Sequence, residues 1–391
     1  MKKISVFTAI LLVICTAGLS FIAFALFLPS SSVTAKKTAL VEKWIETYYI
    51  DEYDEQALAD AAVAAMVQAT GDPWSYYIPA SQMQNYLEDS ENKMVGVGIH
   101  ILDDETDAGF LITKVVDGPA KEAGIQDGDV LVAVDGVSVE ELGTAGAKER
   151  IRGEIGTTVE LTILRKDETL KFQVKRAEIQ QIVASYEMLS GNIAYIRITD
   201  FEGSSASQTM DCIQSALQDG AEGLIFDVRF NPGGRRMELV ALLDKILPEG
   251  ELFRSIDYAG REEVDHSDAT CVDVPMAVLV NDGTFSAAEF FAAALQEYEW
   301  ATIVGEKTTG KGKFQTSFQL DDGSAIVLSI GKYFTPKGVS LAETGVTPDE
   351  AVVLNEEDKM SLYYGTLSLE DDEQLSHAVS VIEKMLFAES S

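Results

Sequence analysis

Pro275-Met276-Ala277-Val278-Leu279-Val280-Asn281-Asp282-Gly283-Thr284-Phe285-Ser286-Ala287-Ala288-Glu289 is the stretch from which this chain is best read. Pro275–Asn281 has the composition of a strand, Asp282-Gly283 is a turn signal, and Ala287–Tyr298 follows as a helix. The same order occurs upstream. Leu224–Val228 reads as a strand, Asn231-Pro232-Gly233-Gly234 as a turn, and Met237–Leu247 as a helix. Asn192–Ile198 and Ser205–Leu217 form another strand and helix, while Phe314–Leu320 and Ala325–Ile330 resemble a hairpin joined at Asp322-Gly323. This alternation predicts an α/β domain over residues 179–354. Helix N-termini and glycine turns expose unpaired backbone N–H groups. Two such donors converging would make an oxyanion hole. Ser286 stands at the start of its predicted helix, which puts the Ala287 N–H near its own hydroxyl. Either turn alone is an ordinary strand-to-helix connection.

Outward from this domain the pattern changes. Residues 94–178 carry short β-branched runs separated by turns, such as Phe110–Val116, Val130–Val134 and Thr158–Arg165, with short helices over Ala120–Ala123 and Gly143–Ile151. They predict a small β-rich module. Residues 36–93 read as helical, with Leu40, Val41, Trp44 and Ile45 on one stripe, and Gly71-Asp72-Pro73 breaks the pattern. Residues 355–391 form a tail with a helical pattern over Leu375–Leu386. Residues 1–35 begin Met1-Lys2-Lys3 and continue as the apolar run Ile4–Leu28. At about 1.5 Å per residue such a run spans a hydrocarbon core of about 30 Å. A signal peptide has a shorter apolar region, so an uncleaved transmembrane anchor is expected, although Val33-Thr34-Ala35 leaves cleavage open. Lys2 and Lys3 are matched by Lys36 and Lys37, so the positive-inside rule barely orients it.

The net charge of -34 speaks against nucleic acid as a partner, because phosphate would be repelled. An acidic, soluble surface accounts for most of it. Cys15, Cys212 and Cys271 lack metal or redox spacing. A Cys212–Cys271 disulfide is conceivable outside the cytoplasm, but two buried free thiols are the expected state. No GxSxG or HExxH occurs, and nothing local presents His100, His266 or His377 to a nucleophile. Gly305-Glu306-Lys307-Thr308-Thr309-Gly310-Lys311-Gly312 nearly matches a phosphate-binding loop. Gly312 replaces the Ser or Thr that holds magnesium, and a strand-like run follows instead of a helix.

Together these motifs resemble the carboxyl-terminal processing, or tail-specific, proteases. The resemblance rests on Gly283-Thr284-Phe285-Ser286-Ala287-Ala288-Glu289 and on Thr308-Thr309-Gly310-Lys311-Gly312, with Lys311 placed 25 residues after Ser286. Gln315, Asp227–Gly234, Lys332-Tyr333-Phe334-Thr335-Pro336 and Gly345–Asp349 support it. Phe230 replaces a usual polar residue and Ala288 a common second serine. The residues alone would not choose Lys311 over Lys307 or Lys313; the family spacing does. The resemblance implies a crotonase-like protease core with an inserted PDZ domain and an N-terminal transmembrane helix. It also implies Ser286 as nucleophile, Lys311 as base, Gln315 orienting the amine, and Gly233 with Ala287 as oxyanion donors. A lysine base must be neutral, which desolvation favours.

Within the β-rich module the resemblance places a carboxylate-binding loop at Val95-Gly96-Val97-Gly98-Ile99, beside a strand edge that accepts a substrate tail. Arg152 matches a position that links peptide binding to activation in some relatives. The implied partners are protein substrates with free C-terminal tails and the membrane, with the catalytic part outside the cytoplasm; a homo-oligomer is compatible with this reading. No cofactor or metal is implied. A tail-sensing binding protein with an inactive core is the rival expectation, and the intact Ser286, Lys311 and Gln315 set argues against it.

Overall fold

The computed structural model describes residues 32–106 and 109–389. The apolar stretch Ile4–Leu28 lies outside the described residues, and so does Cys15. Among the described residues no helix is long and apolar enough to cross a membrane. Cys212 and Cys271 are free thiols, half-buried rather than fully buried.

The chain divides into two compact units, one ending at Asp72 and one starting at Pro73. The first holds α1 (Val33–Tyr48) and α2 (Glu55–Gln68). Each opens on a side-chain cap, Ser32 Oγ accepting from Ala35 N and Asp54 Oδ1 from Ala57 N, which satisfies a helix-end donor. Leu40, Val41 and Trp44 of the predicted stripe are exposed.

The second unit opens with β1 (Tyr76–Ile78), α3 (Ala80–Ser90) and β2 (Lys93–Gly96). The β-rich module follows as β3 (Ile99–Thr106), β4 (Gly109–Val115), α4 (Pro119–Ala123), β5 (Val130–Val134), β6 (Val137–Ser138), α5 (Val139–Ile151), β7 (Thr158–Arg165) and β8 (Glu168–Lys175). Its sheet runs β3-β4-β5-β7-β8 with β6 against β5, which leaves β3 on an edge. Phe110, Ile112, Leu131, Leu161 and Ile163 pack with Ala147 and Ile151 of α5. Helix α5 starts before the predicted Gly143 because Ser138 caps it, and Gly143 (φ +63) forms a kink inside it. Strand β9 (Ala177–Gln180) returns antiparallel to β2, so the module joins the rest of the unit through a two-stranded ribbon.

The remaining elements are β10 (Ala184–Leu189), β11 (Ile193–Ile198), α6 (Ser205–Gln218), β12 (Gly223–Asp227), α7 (Arg236–Ile246), β13 (Gly250–Asp257), β14 (Glu262–Ser267), β15 (Met276–Val280), α8 (Ala287–Glu297), β16 (Thr302–Gly305), β17 (Lys313–Gln319), β18 (Ala325–Phe334), β19 (Glu350–Ala351), α9 (Glu356–Tyr363) and α10 (Glu373–Glu389). The central sheet has the order β10-β11-β12-β15-β16-β19 and is parallel apart from the β10–β11 pair. Successive side chains on a strand point to opposite faces. Ile193, Ile225, Ala277, Leu279 and Val304 meet Leu375, Ala378 and Ile382 of α10. Ala194, Ile196, Phe226, Val278 and Val280 share a core with Ile213, Leu242, Phe290 and Phe291 of α6, α7 and α8. Both faces are covered, which explains why β12 and β15 read as unbroken apolar runs. The expected tail over residues 355–391 therefore supplies, through α10, one layer of the core. The second sheet runs β1-β18-β13-β14 with β17 on β18. The predicted hairpin is β17–β18, and Gly323 (φ +88) makes its turn. The β13–β14 hairpin escaped the sequence reading because Glu262, Glu263 and Asp265 mask its period.

Candidate active site

Strands β12 and β15 are parallel neighbours, so the glycine turns after them lie side by side at the carboxyl edge of the sheet, where α/β folds build their sites. The turns are bonded to each other. The buried Asn281 accepts from Phe230 N (2.9 Å) and Gly283 N (3.1 Å) through Oδ1. Thr284 Oγ1 donates to Val228 O (2.8 Å), and Phe285 N donates to Asn231 O (3.2 Å). Gly233 (φ +90) is pressed against the second turn: a Cβ there would lie 2.7 Å from both Ala287 N and Ser286 Cβ. Only glycine allows that approach at that φ.

Ser286 caps α8 with φ +60 and ψ −125, a conformation that a non-glycine residue adopts only when its surroundings impose it. Glu289, one turn on and fully buried, provides much of that imposition. Its Oε2 accepts from Ser286 N (3.1 Å) and Lys311 N (2.9 Å). Its Oε1 accepts from Gly310 N (2.6 Å) and Thr308 Oγ1 (2.5 Å). One carboxylate thus joins the serine turn to the lysine loop. Burial pushes this carboxyl above its usual value, against the four donors that favour its charged form. The loop is held further by Thr309 N donating to Thr284 O (3.2 Å) and Thr309 Oγ1 to Asp282 O (2.7 Å). The buried Tyr333 hydroxyl donates to the Lys311 carbonyl, and burial pushes its pKa well up. Val346 N donates to Thr308 Oγ1 (2.7 Å), which ties in the Gly345–Asp349 motif. A strand, β17, follows Lys311, and the Gly310 and Lys311 amides face Glu289. The glycine loop therefore does not have the form of a phosphate cradle.

Ser286, Ala287, Gly233, Lys311 and Gln315 all line one cavity of about 590 Å³. Three separated segments bring them together. Apolar side chains of Leu239, Phe253, Phe290, Phe314 and Val327 form part of its wall. Glu202 and Arg235 also line it, with Arg235 Nε 3.6 Å from Glu202 Oε2. Burial pushes the Glu202 carboxyl up to about 7 despite the pull of Arg235.

The placements differ from expectation in detail. Lys311 precedes β17, and a register shift falls between Phe314 and Gln315, yet both residues line the cavity. The Gln315 amide donates to Lys313 O (3.0 Å) and Ser329 Oγ (3.1 Å). The Gly233 N–H donates to Asn231 Oδ1 (2.8 Å), a bond within its own turn. In the β-rich module, Val95 and Gly96 belong to β2 and pair with Glu178 and Ala177. Val97 is buried and its carbonyl accepts from Ala120 N (2.9 Å), Gly98 (φ +85) precedes the edge strand, and Ile99 begins that strand opposite Val115. Arg152 closes α5, its N–H donating to Lys148 O (3.0 Å) and its side chain exposed. The buried arginine at that helix end is Arg176, which donates to Arg150 O (2.7 Å) and Ile151 O (2.9 Å). Glu289, Tyr333 and Glu202 were given no role from sequence. Ser286-Ala287-Ala288-Glu289 does carry the spacing of a capping box, a signal that could have found Glu289.

Two family models match the chain: peptidase family S41 over residues 192–352 and the PDZ domain over residues 91–175. A carboxy-terminal processing protease of Bacillus subtilis is 34% identical over 308 residues, covering 78% of this chain and 66% of the relative. A carboxyl-terminal-processing protease of Synechocystis is 31% identical over 299 residues, covering 74% of this chain and 70% of the relative. The chain thus spans about two thirds of the length of the curated relatives it matches. The solved photosystem II D1 C-terminal processing protease is 26% identical, with 85% of this chain and 91% of that chain covered at a TM-score of 0.48. The two family models and the similarity to the Bacillus subtilis and Synechocystis proteases lead to one family: the chain belongs to the carboxyl-terminal processing proteases of peptidase family S41.

Proposed function

We propose that the protein is a membrane-anchored serine endopeptidase with a crotonase-like core that cuts protein substrates held by their free C-termini. The convergence of Ser286, Lys311, Gln315, Gly233 and Ala287 on one cavity carries this reading. Ser286 Oγ attacks the scissile carbonyl while its proton passes to the neutral amine of Lys311. The oxyanion is met by the backbone N–H groups of Ala287 and Gly233, the latter released from Asn231 Oδ1. Collapse of the tetrahedral intermediate expels the amine, which takes the proton from Lys311. Water then enters, Lys311 removes its proton, and the acyl bond to Ser286 is hydrolysed. Gln315, held at Ser329, supports the amine without adding charge. The PDZ domain presents β3 as the edge to which a tail adds, with Val95–Ile99 receiving its carboxylate and Arg152 relaying occupancy. The stretch Ile4–Leu28 anchors the chain, with the catalytic part outside the cytoplasm. Neither cofactor nor metal enters this scheme.

The decisive experiment is turnover of an unstructured protein by Ser286→Ala and Lys311→Arg variants. Both should lose at least about 10³-fold in kcat while keeping the wild-type circular dichroism, because guanidinium stays protonated and cannot act as base. A folded Lys311→Arg protein with substantial activity would make the Ser-Lys assignment wrong. Normal tail binding with no wild-type turnover would favour the tail sensor instead.

A further inference from the structure

The aromatic surroundings of the Lys311 amine have no place in the scheme so far. Nζ lies 4.8 Å from the centroid of the Trp74 ring and 6.0 Å from that of Phe285. The two rings also pack on each other, with centroids 5.6 Å apart and planes tilted by 33°. Both are half-buried. Lys311 lines the cavity, whereas neither ring is among its lining residues. Trp74 is fixed by its neighbour: Ser75 Oγ accepts from Ser329 N (3.0 Å), and Ser329 Oγ accepts from Gln315 Nε2 (3.1 Å). The segment carrying the indole is thus tied to the strand that also holds Gln315.

An indole face attracts a cation more strongly than any other aromatic side chain does, and the attraction depends on the charge. A neutral amine gains little from the same contact. The ring therefore favours the protonated lysine, the form that cannot accept the Ser286 proton. We infer that Trp74 is a positioning residue that holds the Lys311 ammonium on its ring face and thereby sets the pH at which the base becomes available to Ser286. This rests on the Ser-Lys reading above. Titratable groups around Lys311 among the described residues include Glu289 behind its backbone, Tyr333 at its carbonyl, and Glu202 with Arg235 in the same cavity. Glu202 acts through space and titrates near neutrality, so its influence must be separated from that of the ring.

The test is kcat/KM against pH for the full chain on an unstructured protein substrate, with Trp74→Leu, Trp74→Phe and Lys311→Arg variants. Leu keeps an apolar wall and removes the π face, while Phe keeps a weaker one. The midpoint of the rise in activity with pH should move down by about half a unit or more in Trp74→Leu, and by less in Trp74→Phe. The same displacements should persist when each is combined with Glu202→Gln. An unmoved midpoint, an upward shift, or equal shifts in Phe and Leu would overturn the inference. An upward shift would mean that Trp74 acts by excluding water. Should Trp74→Leu fail to fold, Trp74→Phe alone decides, and no downward shift there counts against it. Activity retained by Lys311→Arg overturns the Ser-Lys reading itself, whatever the Trp74 variants do.

Discussion

At the residue scale, the unexpected centre of the site is Glu289. It takes no part in bond making, yet it accepts from the backbone of both Ser286 and Lys311. Glu289→Gln keeps the shape and turns one acceptor oxygen into an NH₂ facing N–H donors. Displacement of the serine or the lysine by about 1 Å can cost about 10²-fold in rate. We expect kcat to fall at least about tenfold with KM little changed, because the cavity walls stay in place; steady-state kinetics checks this. A pH signature accompanies it. Burial raises the Glu289 carboxyl, so the folded state keeps the proton where the unfolded chain has lost it. Between the ordinary value and the raised one, stability therefore falls as pH rises. Urea midpoints across that window should fall less steeply with pH for Glu289→Gln than for the wild type, the remaining slope coming from Glu202, whose carboxyl burial also raises. Phe230 shows strain of another kind: its φ of +58 suits a small polar residue better than a bulky one, and Tyr363 holds its ring edge-on at 5.3 Å.

At the scale of elements, α10 covers one face of the central sheet and is pinned there by a buried charge cluster. Arg229 Nη2 donates to Asp227 Oδ2 (2.7 Å) and Asp372 Oδ2 (2.7 Å), and Nη1 to Gln374 Oε1 (2.9 Å). Tyr195 Oη donates to Asp227 Oδ2 (2.6 Å). Arg229 directly precedes the turn that carries Gly233, so the cluster supports the proposed oxyanion loop as well as the C-terminal layer. Arg229→Met would leave two buried carboxylates facing each other. Removing one partner of a buried ion pair costs about 3–5 kcal/mol, and a loss of that size should appear in the urea midpoint at neutral pH. A much smaller loss would show that the cluster does not anchor α10.

At the scale of the whole molecule, the PDZ domain is joined through the β2–β9 ribbon and leaves β3 on a sheet edge. If Val97 and Gly98 help hold a terminal carboxylate, amidating the substrate tail removes the charge they receive. Charge-assisted hydrogen bonds contribute about 1.5–3 kcal/mol, so binding should weaken by about tenfold or more. Titrating free-acid and amidated peptides by calorimetry measures it, and equal affinities would leave the PDZ domain as a spacer. The proposed anchor makes a further expectation: in intact cells, added protease should reach the catalytic part. A shielded catalytic part would place it on the other side of the membrane.

Much of this architecture was legible in local pattern. Strand, glycine turn and helix follow one another within the span that periodicity can read, so β12, β15, α8 and the β17–β18 hairpin were visible in advance. Ser286 and Lys311 were singled out by a family spacing, since no local property separates Lys311 from Lys307 or Lys313. Tertiary structure alone decided the rest. It placed Trp74 against Lys311, gave Glu289 both loops to hold, and set the β13–β14 hairpin into a sheet despite its polar surface. It also joined Arg229 to Asp372, 143 residues away, making an apparent tail into a layer of the core. The physical reason is common to these cases. Hydrophobic period and turn chemistry are properties of neighbours along the chain, whereas an ion pair, a cation on a ring and a shared carboxylate acquire their energy only when folding brings distant residues together.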